Sequence, residues 1–285
     1  MENTNVLGRI SAAYYQLTAA ERKVADYLGG HLPQAQFLSI SELAEACGVA
    51  EATITRFCRR LEYQGYTAFK LAIAKSAAKA PAAFRESAGS VGPEDTVQQM
   101  GQKLLHANTL AMAQTLEQLD PRALDRAAVL LARARNVYCM GQGGSMILAQ
   151  EAAHLFSTCW PHYHAVSGSH IQAITASLLG EEDVVLFFSY SGSTRDILDL
   201  MQVVRGRGCR VILITRFPKS PGAVMADVVL QCVCDEGPLQ LGTVPARVAQ
   251  LFLVDLLFNE VCRRDLDAAM QNREQTASAL AVKHI

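Results

Sequence analysis

The sequence predicts an α/β protein overall, with an all-α domain followed by an αβα domain on a parallel five-stranded sheet. Three observations lead there. Apolar residues keep a helical spacing at the N-terminal end, as in Ile10, Tyr14, Leu17, Val24, Tyr27 and Leu28. Proline, glycine, serine and alanine then dominate Ala80 to Asp95, where no apolar period holds. Beyond Arg135, short continuous apolar runs alternate with helical stretches, the pattern of a parallel sheet covered on both faces. The expected boundaries are 1–80 for the first domain, 81–95 for a linker, 96–270 for the second domain and 271–285 for a C-terminal tail.

The elements follow in order. Ile10 to Gly30 reads as helix, and Thr18 with Glu21 forms a capping-box pattern that starts a second helix, Ala19 to Leu28. Helix is expected again over Ser41 to Ala46, from about Ala50 to Leu61, and from Tyr66 to Lys79 before Pro81. Thr96 to Leu119 is helical, and Asp120-Pro121 caps the next helix with proline in its first turn. Strands are expected at Asn136–Met140, Tyr163–Val166, Val184–Ser189, Arg210–Thr215 and Val228–Val233.

Composition narrows the function classes. A chain of 285 residues, half of them hydrophobic, is the right size for two domains with a sizeable core. The net charge of −1 excludes polyanion binding by bulk charge, so a basic patch must be local. No apolar run is long enough to span a membrane, and the first eight residues lack a signal-peptide core. The eight cysteines include no CxxC pair and read as buried thiols in a reducing cytoplasm. His162, His164 and His170 lie close together but have no adjacent carboxylate, so no metal site and no cofactor are expected.

Residues 39–69 read SISELAEACGVAEATITRFCRRLEYQGYTAF: a helix, a short turn at Gly48 and a second helix, the layout of a helix-turn-helix. Ile54, Phe57, Cys58 and Leu61 make the inward face of the second helix. Small residues such as Ala52, Thr53 and Thr55 let a helix lie deep in a major groove, and arginines fork onto guanine edges or phosphates. Arg56 is the expected base reader, flanked by Thr53 and Thr55, with Arg59 and Arg60 on phosphates. These arginines and Lys70 belong to a local basic region inside a nearly neutral chain.

Two loops in the second domain carry chemistry. Gly141-Gln142-Gly143-Gly144-Ser145 joins a strand to a helix, and such a turn lets backbone N–H groups approach an anion at the helix N-terminus. It is neither GxGxxG nor a Walker loop. Ser189-Tyr190-Ser191-Gly192-Ser193-Thr194 gathers four hydroxyls where the strand VVLFF ends, the edge at which ligands bind in parallel sheets. Hydroxyls and helix-terminal amides suit a phosphate, and capping explains one or two of them rather than four.

Leu17-Thr18, Glu21-Arg22, Ala25-Asp26-Tyr27, Glu42-Leu43-Ala44 and Ala52 to Cys58 resemble the DNA-binding domain of the RpiR/MurR family of regulators. Two positions depart from its pattern: Ala50 stands where the family has a capping serine, and Glu62 where it has a glycine. The two loops resemble the GxGxS and SxSGxT elements of SIS (sugar isomerase) domains. Asp183, Gly208, Ser220-Pro221 and Asp227 extend that likeness over Leu119 to Arg264. The resemblance implies that Ser145, Ser189, Ser191 and Thr194 bind an effector phosphate, with Ser193 and Gly143 beside them. It points to His170 and Glu236 as sugar contacts, and Glu151 is placed to meet sugar hydroxyls.

The expectation is a DNA-binding transcription regulator, not an enzyme, whose SIS domain senses a phosphorylated sugar or sugar acid. The expected partners are operator DNA, that effector and a second copy of the chain, paired through the helix Val244 to Cys262. The alternative is a sugar-phosphate isomerase or lyase with an accessory helical domain, for which Glu151, His170 or Glu236 would serve as general base.

Overall fold

The computed structural model describes residues 6–78, 91–234 and 243–283. Apart from residues 235–243, the chain divides into two compact units at residues 107 and 108.

The first unit contains α1 (Val6–Ala13), a single 3-10 turn (Tyr14–Gln16), α2 (Ala19–Ala35), α3 (Ile40–Cys47), α4 (Glu51–Arg60) and α5 (Tyr66–Ala78). Its core is Val24, Leu28, Leu43, Ile54, Phe57, Phe69 and Ile73, all fully buried. The expected capping box is present: the Thr18 hydroxyl accepts from the Glu21 N–H at 3.3 Å, and the Glu21 carboxylate accepts from the Thr18 N–H at 2.9 Å. A second box, Ser39 with Glu42, starts α3 one residue before the expected Ser41. α2 continues past Gly29 and Gly30, with a kink at His31 two residues before Pro33. At the helix-turn-helix corner Gly48 is left-handed at φ 64°, and the Val49 N–H reaches back to Ala44 O at 2.9 Å.

The linker expected at 81–95 falls largely outside the described residues. At its end the Asp95 carboxylate accepts from the Gly92 N–H and pairs with Lys103. α6 (Val97–Glu117) follows.

The second unit continues with α7 (Pro121–Arg133), β1 (Val137–Gly141), α8 (Gly144–Ser157), β2 (Tyr163–Ala165), α9 (Ser169–Leu178) and β3 (Val184–Phe188). Then come α10 (Arg195–Gly206), β4 (Arg210–Thr215), α11 (Pro221–Met225), β5 (Val228–Gln231), α12 (Val244–Arg264) and α13 (Leu266–Ala281). α13 makes the expected tail helical as far as Ala281. The five strands pair in parallel in the order β2-β1-β3-β4-β5.

Strand alternation sorts the side chains into two layers. Leu186, Phe188, Ile212 and Ile214 face a cluster with Leu131, Phe156, Leu253 and Leu257 from α7, α8 and α12. Val185, Phe187, Val211 and Leu213 face α9 and α10 through Ala176, Ile197, Met201 and Val204. Helices on both faces of the sheet make the expected αβα arrangement.

Asp183 locks the N-terminal edge of this sheet. It is 2% exposed and accepts from Arg135 Nη2 at 2.8 Å, Gly180 N at 2.9 Å and Asn136 Nδ2 at 3.1 Å. Burial alone would raise its pKa, but Arg135, Gly180 and Asn136 hold it below the usual carboxylate range. A depressed folded-state pKa stabilises the fold above the unfolded value and loses that contribution as pH falls through the folded value. Asp183→Ala is therefore expected to cost about 2–3 kcal/mol near neutral pH. The deficit should shrink on acidification below about pH 4, measured by urea unfolding across pH. A deficit that stays constant down to pH 2 contradicts the role given to the ionised carboxylate.

Candidate effector and DNA sites

On α4, Ile54, Phe57 and Cys58 are buried, while Ala52, Arg56, Arg59 and Arg60 are exposed and Thr53 and Thr55 half-exposed. The Thr55 hydroxyl donates to Glu51 O at 3.2 Å. Ala50 occupies the N-cap without a side-chain bond, so the first amides of α4 have no local side-chain acceptor there. Glu62 sits at φ 65°, a left-handed position beyond the end of α4, which accounts physically for the family's glycine there. Arg9 ties this end down, donating to Leu61 O at 3.0 Å with Glu62 3.6 Å away.

Arg60, expected to hold a phosphate, has partners within the fold. Its Nε donates to Glu21 Oε1 at 3.1 Å and its Nη1 to Gln16 O at 3.2 Å. The carboxylate of Glu21, 3% exposed, is the acid of the α2 capping box, and its pKa is lowered although burial opposes this. Thr18 and Arg60 supply the opposing pull. Arg60 is thus the counterion that lets a buried carboxylate cap a helix. Lys70, on α5, is half-buried.

In the second unit the glycine-rich loops leave adjacent strands at one level, because Gly141 of β1 pairs with Phe188 of β3. Gly141 passes so close to the first turn of α8 that a Cβ there would lie 2.7 Å from Ser145 O. Gly143, at φ 55° and ψ −126°, occupies backbone space reserved for glycine and forms the N-cap of α8. In the second loop Gly192 has φ 59°, and a Cβ there would lie 2.0 Å from Ser220 Oγ.

Three of the hydroxyls expected to bind phosphate, those of Ser191, Ser193 and Thr194, cluster in the second loop. Ser191 Oγ and Thr194 Oγ1 are 3.5 Å apart, the Ser193 N–H donates to Ser191 Oγ at 3.2 Å, and Ser193 Oγ donates to Ser191 O at 3.1 Å. Ser189 is buried at the strand end, and Ser145 is half-exposed in the first turn of α8. Thr194 is the N-cap of α10 yet makes no side-chain cap bond. α8 and α9 start on Gly143 and Gly168, also without a side-chain cap, whereas α7, α11 and α13 are capped by Asp120, Ser220 and Asp265. The uncapped starts of α8 and α10 are those that follow the two loops. Their amides carry partial positive charge toward any anion held there.

Glu151 and His170 are exposed, on the second turn of α8 and the first of α9. Glu236 lies outside the described residues. His162 and His164 belong to no metal cluster among the described residues, and burial lowers the pKa of His162, with His164 adding to it. All eight cysteines are buried free thiols.

Two side chains that sequence reasoning missed join the first loop. Gln172 of α9, fully buried, donates through Nε2 to Val166 O at 2.8 Å and Gly141 O at 3.0 Å. Its Oε1 accepts from Gln142 at 2.8 Å. Arg247 of α12 places Nη2 3.5 Å from where a Gly144 Cβ would stand. Neither belongs to a motif, and each comes near the loop only through the fold.

A model of the rpiR-family helix-turn-helix domain matches residues 4–80, and a SIS-domain model matches 130–260. An HTH-type transcriptional regulator of Caldanaerobacter subterraneus is 32% identical over 282 residues, 99% of each chain. The HTH-type transcriptional regulator HexR of Pseudomonas aeruginosa is 32% identical, over 92% of this chain and 91% of its own. The solved structure of Vibrio vulnificus NanR complexed with ManNAc-6P has a TM-score of 0.86 at 24% identity, over 98% of this chain and 99% of NanR.

The counterion role of Arg60 separates it from its neighbours. Arg60→Ala is expected to lower stability by about 1–2 kcal/mol, because it strips a buried carboxylate of its partner. Arg59→Ala, exposed on the same turn, is expected to stay within about 0.5 kcal/mol. Equal melting temperatures for the two variants would contradict the assignment. With the helix-turn-helix and the SIS loops both in place along one chain, this protein belongs to the RpiR family of HTH-type transcriptional regulators.

Proposed function

We propose that this regulator binds operator DNA through α4 and is switched by a phosphorylated sugar held between the Gly141–Ser145 and Ser189–Thr194 loops. The observation that carries the reading is the N-cap of α10. Thr194 holds the capping position but makes no cap bond, and its hydroxyl faces that of Ser191 at 3.5 Å. Hydroxyl donors beside an uncapped helix start suit a phosphate dianion with no metal. Ser145, Ser189 and Ser193 complete the donor set with the Gly143 turn. We assign sugar contacts to Glu151 and His170, which are both exposed. The ManNAc-6P in the related NanR structure supports the same class of effector.

On the DNA side Arg56 is the base reader, flanked by Thr53 and Thr55, and Arg59 holds phosphate. A single recognition helix buries too little surface for tight specific binding, so two copies act on one site. Val248, Leu251, Phe252 and Leu256 of α12 remain partly exposed and offer apolar area for that pairing. Such a regulator works in the cytoplasm, where its DNA and effector are.

Binding without turnover fits better than isomerisation. The relatives similar to this protein over nearly the whole chain are HTH-type transcriptional regulators, which supports binding rather than turnover.

The test is a titration of phosphosugars against operator binding. Each hydroxyl bond to the phosphate contributes roughly 1.5–3 kcal/mol. Thr194→Ala is expected to keep DNA binding and to need about ten- to a hundredfold more effector for the same response. Arg56→Ala is expected to lose operator preference while binding effector normally. Unchanged effector response in Thr194→Ala would remove the phosphate from this loop.

A further inference from the structure

β2 pairs with β1 only as far as Cys139, whereas β1 runs on to Gly141. Just beyond β2, the Val166 N–H still donates to Cys139 O at 3.1 Å. Gly141 is the next residue of β1 whose carbonyl points to that side. The donor it meets there is a side chain, Gln172 Nε2, at 3.0 Å. Gln172 stands in the first turn of α9 and is fully buried. Its Nε2 also donates to Val166 O at 2.8 Å, and its Oε1 accepts from Gln142 Nε2 at 2.8 Å. Two carbonyl oxygens on one atom identify that atom as the nitrogen of the amide. An apolar side chain of the same size would fill the space and leave two buried carbonyls without this donor.

The contact to Gly141 O has a directional consequence. A peptide group is planar and trans, so its N–H points opposite to its C=O. With Gly141 O held toward β2, the Gln142 N–H is aimed toward β3, the strand from which the Ser189–Thr194 loop leaves. We infer that Gln172 is the positioning residue of the effector site: it replaces β2 as the donor at the end of β1 and so aims the first amide of the Gly141–Ser145 loop at the phosphate. The inference rests on the phosphosugar reading and adds how the first loop is set before the effector arrives. Being fully buried, Gln172 acts through the loop and not on the ligand.

Hydrogen exchange on the ligand-free protein, with calorimetry of inorganic phosphate and of glucose 6-phosphate, tests this on the full-length chain. Gln172→Met keeps the volume and removes the amide. It is expected to speed exchange over residues 142–146 by about tenfold and to leave residues 191–197 as in the wild type. It is also expected to weaken whichever probe the wild type binds by about five- to fiftyfold. Gln172→Asn, an amide one methylene shorter, is expected to act in the same direction and serves if Gln172→Met melts early. Asp183→Ala, at the opposite edge of the sheet, lowers stability without touching either loop and should bind both probes as the wild type does. A folded Gln172 variant whose residues 142–146 exchange as in the wild type overturns the inference. So does one that loosens this loop yet keeps wild-type affinity, or an Asp183→Ala protein that loses as much affinity as Gln172→Met. A wild type that binds neither probe at millimolar concentration overturns the phosphosugar reading, while the exchange measurement still decides whether Gln172 sets the loop.

Discussion

The pairing of β1 with β3 is the constraint on which the effector end depends. It sets Gly141 opposite Phe188, so both strands end at one level and both chains must turn there into helices. The turns are tight enough that Cβ atoms at Gly141 and Gly192 would collide with Ser145 and Ser220. Glycine is needed at these places for space, not for flexibility. The consequence is chemical: two helix starts, α8 and α10, arrive side by side without side-chain caps. The energy left unrealised in their amides is available to an anion. Gln172 and Arg247 then fix and charge the first of the two turns from helices distant in sequence.

The DNA-binding unit solves a different problem. A small helical domain gains much from each well-made helix end, and here α2 and α3 both start on capping boxes, at Thr18 and Ser39. The first needs a buried carboxylate, and Arg60 serves it from the far end of α4. One arginine of α4 is therefore tied into the fold, while Arg56 and Arg59 on the same helix stay exposed. At Ala50 and Glu62 the helix ends without the cap or the glycine that each position favours.

Much of this was legible in the sequence. VVLFF and RVILIT announce buried parallel strands because both faces of each are apolar, and β3 and β4 lie in the middle of the sheet. The two loops were readable because their glycines and hydroxyls sit together in sequence. Other features were hidden for physical reasons. Gly29-Gly30 and Pro33 look like a helix end, but packing carries α2 through a kink to Ala35. Ser39 with Glu42 was a readable start signal for α3, whose first residue is Ile40 rather than the expected Ser41. Nothing in the run RFCRR says that its last arginine turns back to Glu21, a partner thirty-nine positions away. Gln172 and Arg247 are likewise invisible, because a polar residue on a helix reads as surface until the fold places it beside a loop.

The central claim is that the two loops form one anion cradle built from helix-start amides as well as hydroxyls. Amide hydrogen exchange with and without a tightly binding phosphosugar measures this directly. The account predicts slowed exchange confined to residues 142–146 and 191–197, with α4 and the sheet interior unchanged. Protection that appears elsewhere, with both loops exchanging as before, would contradict it.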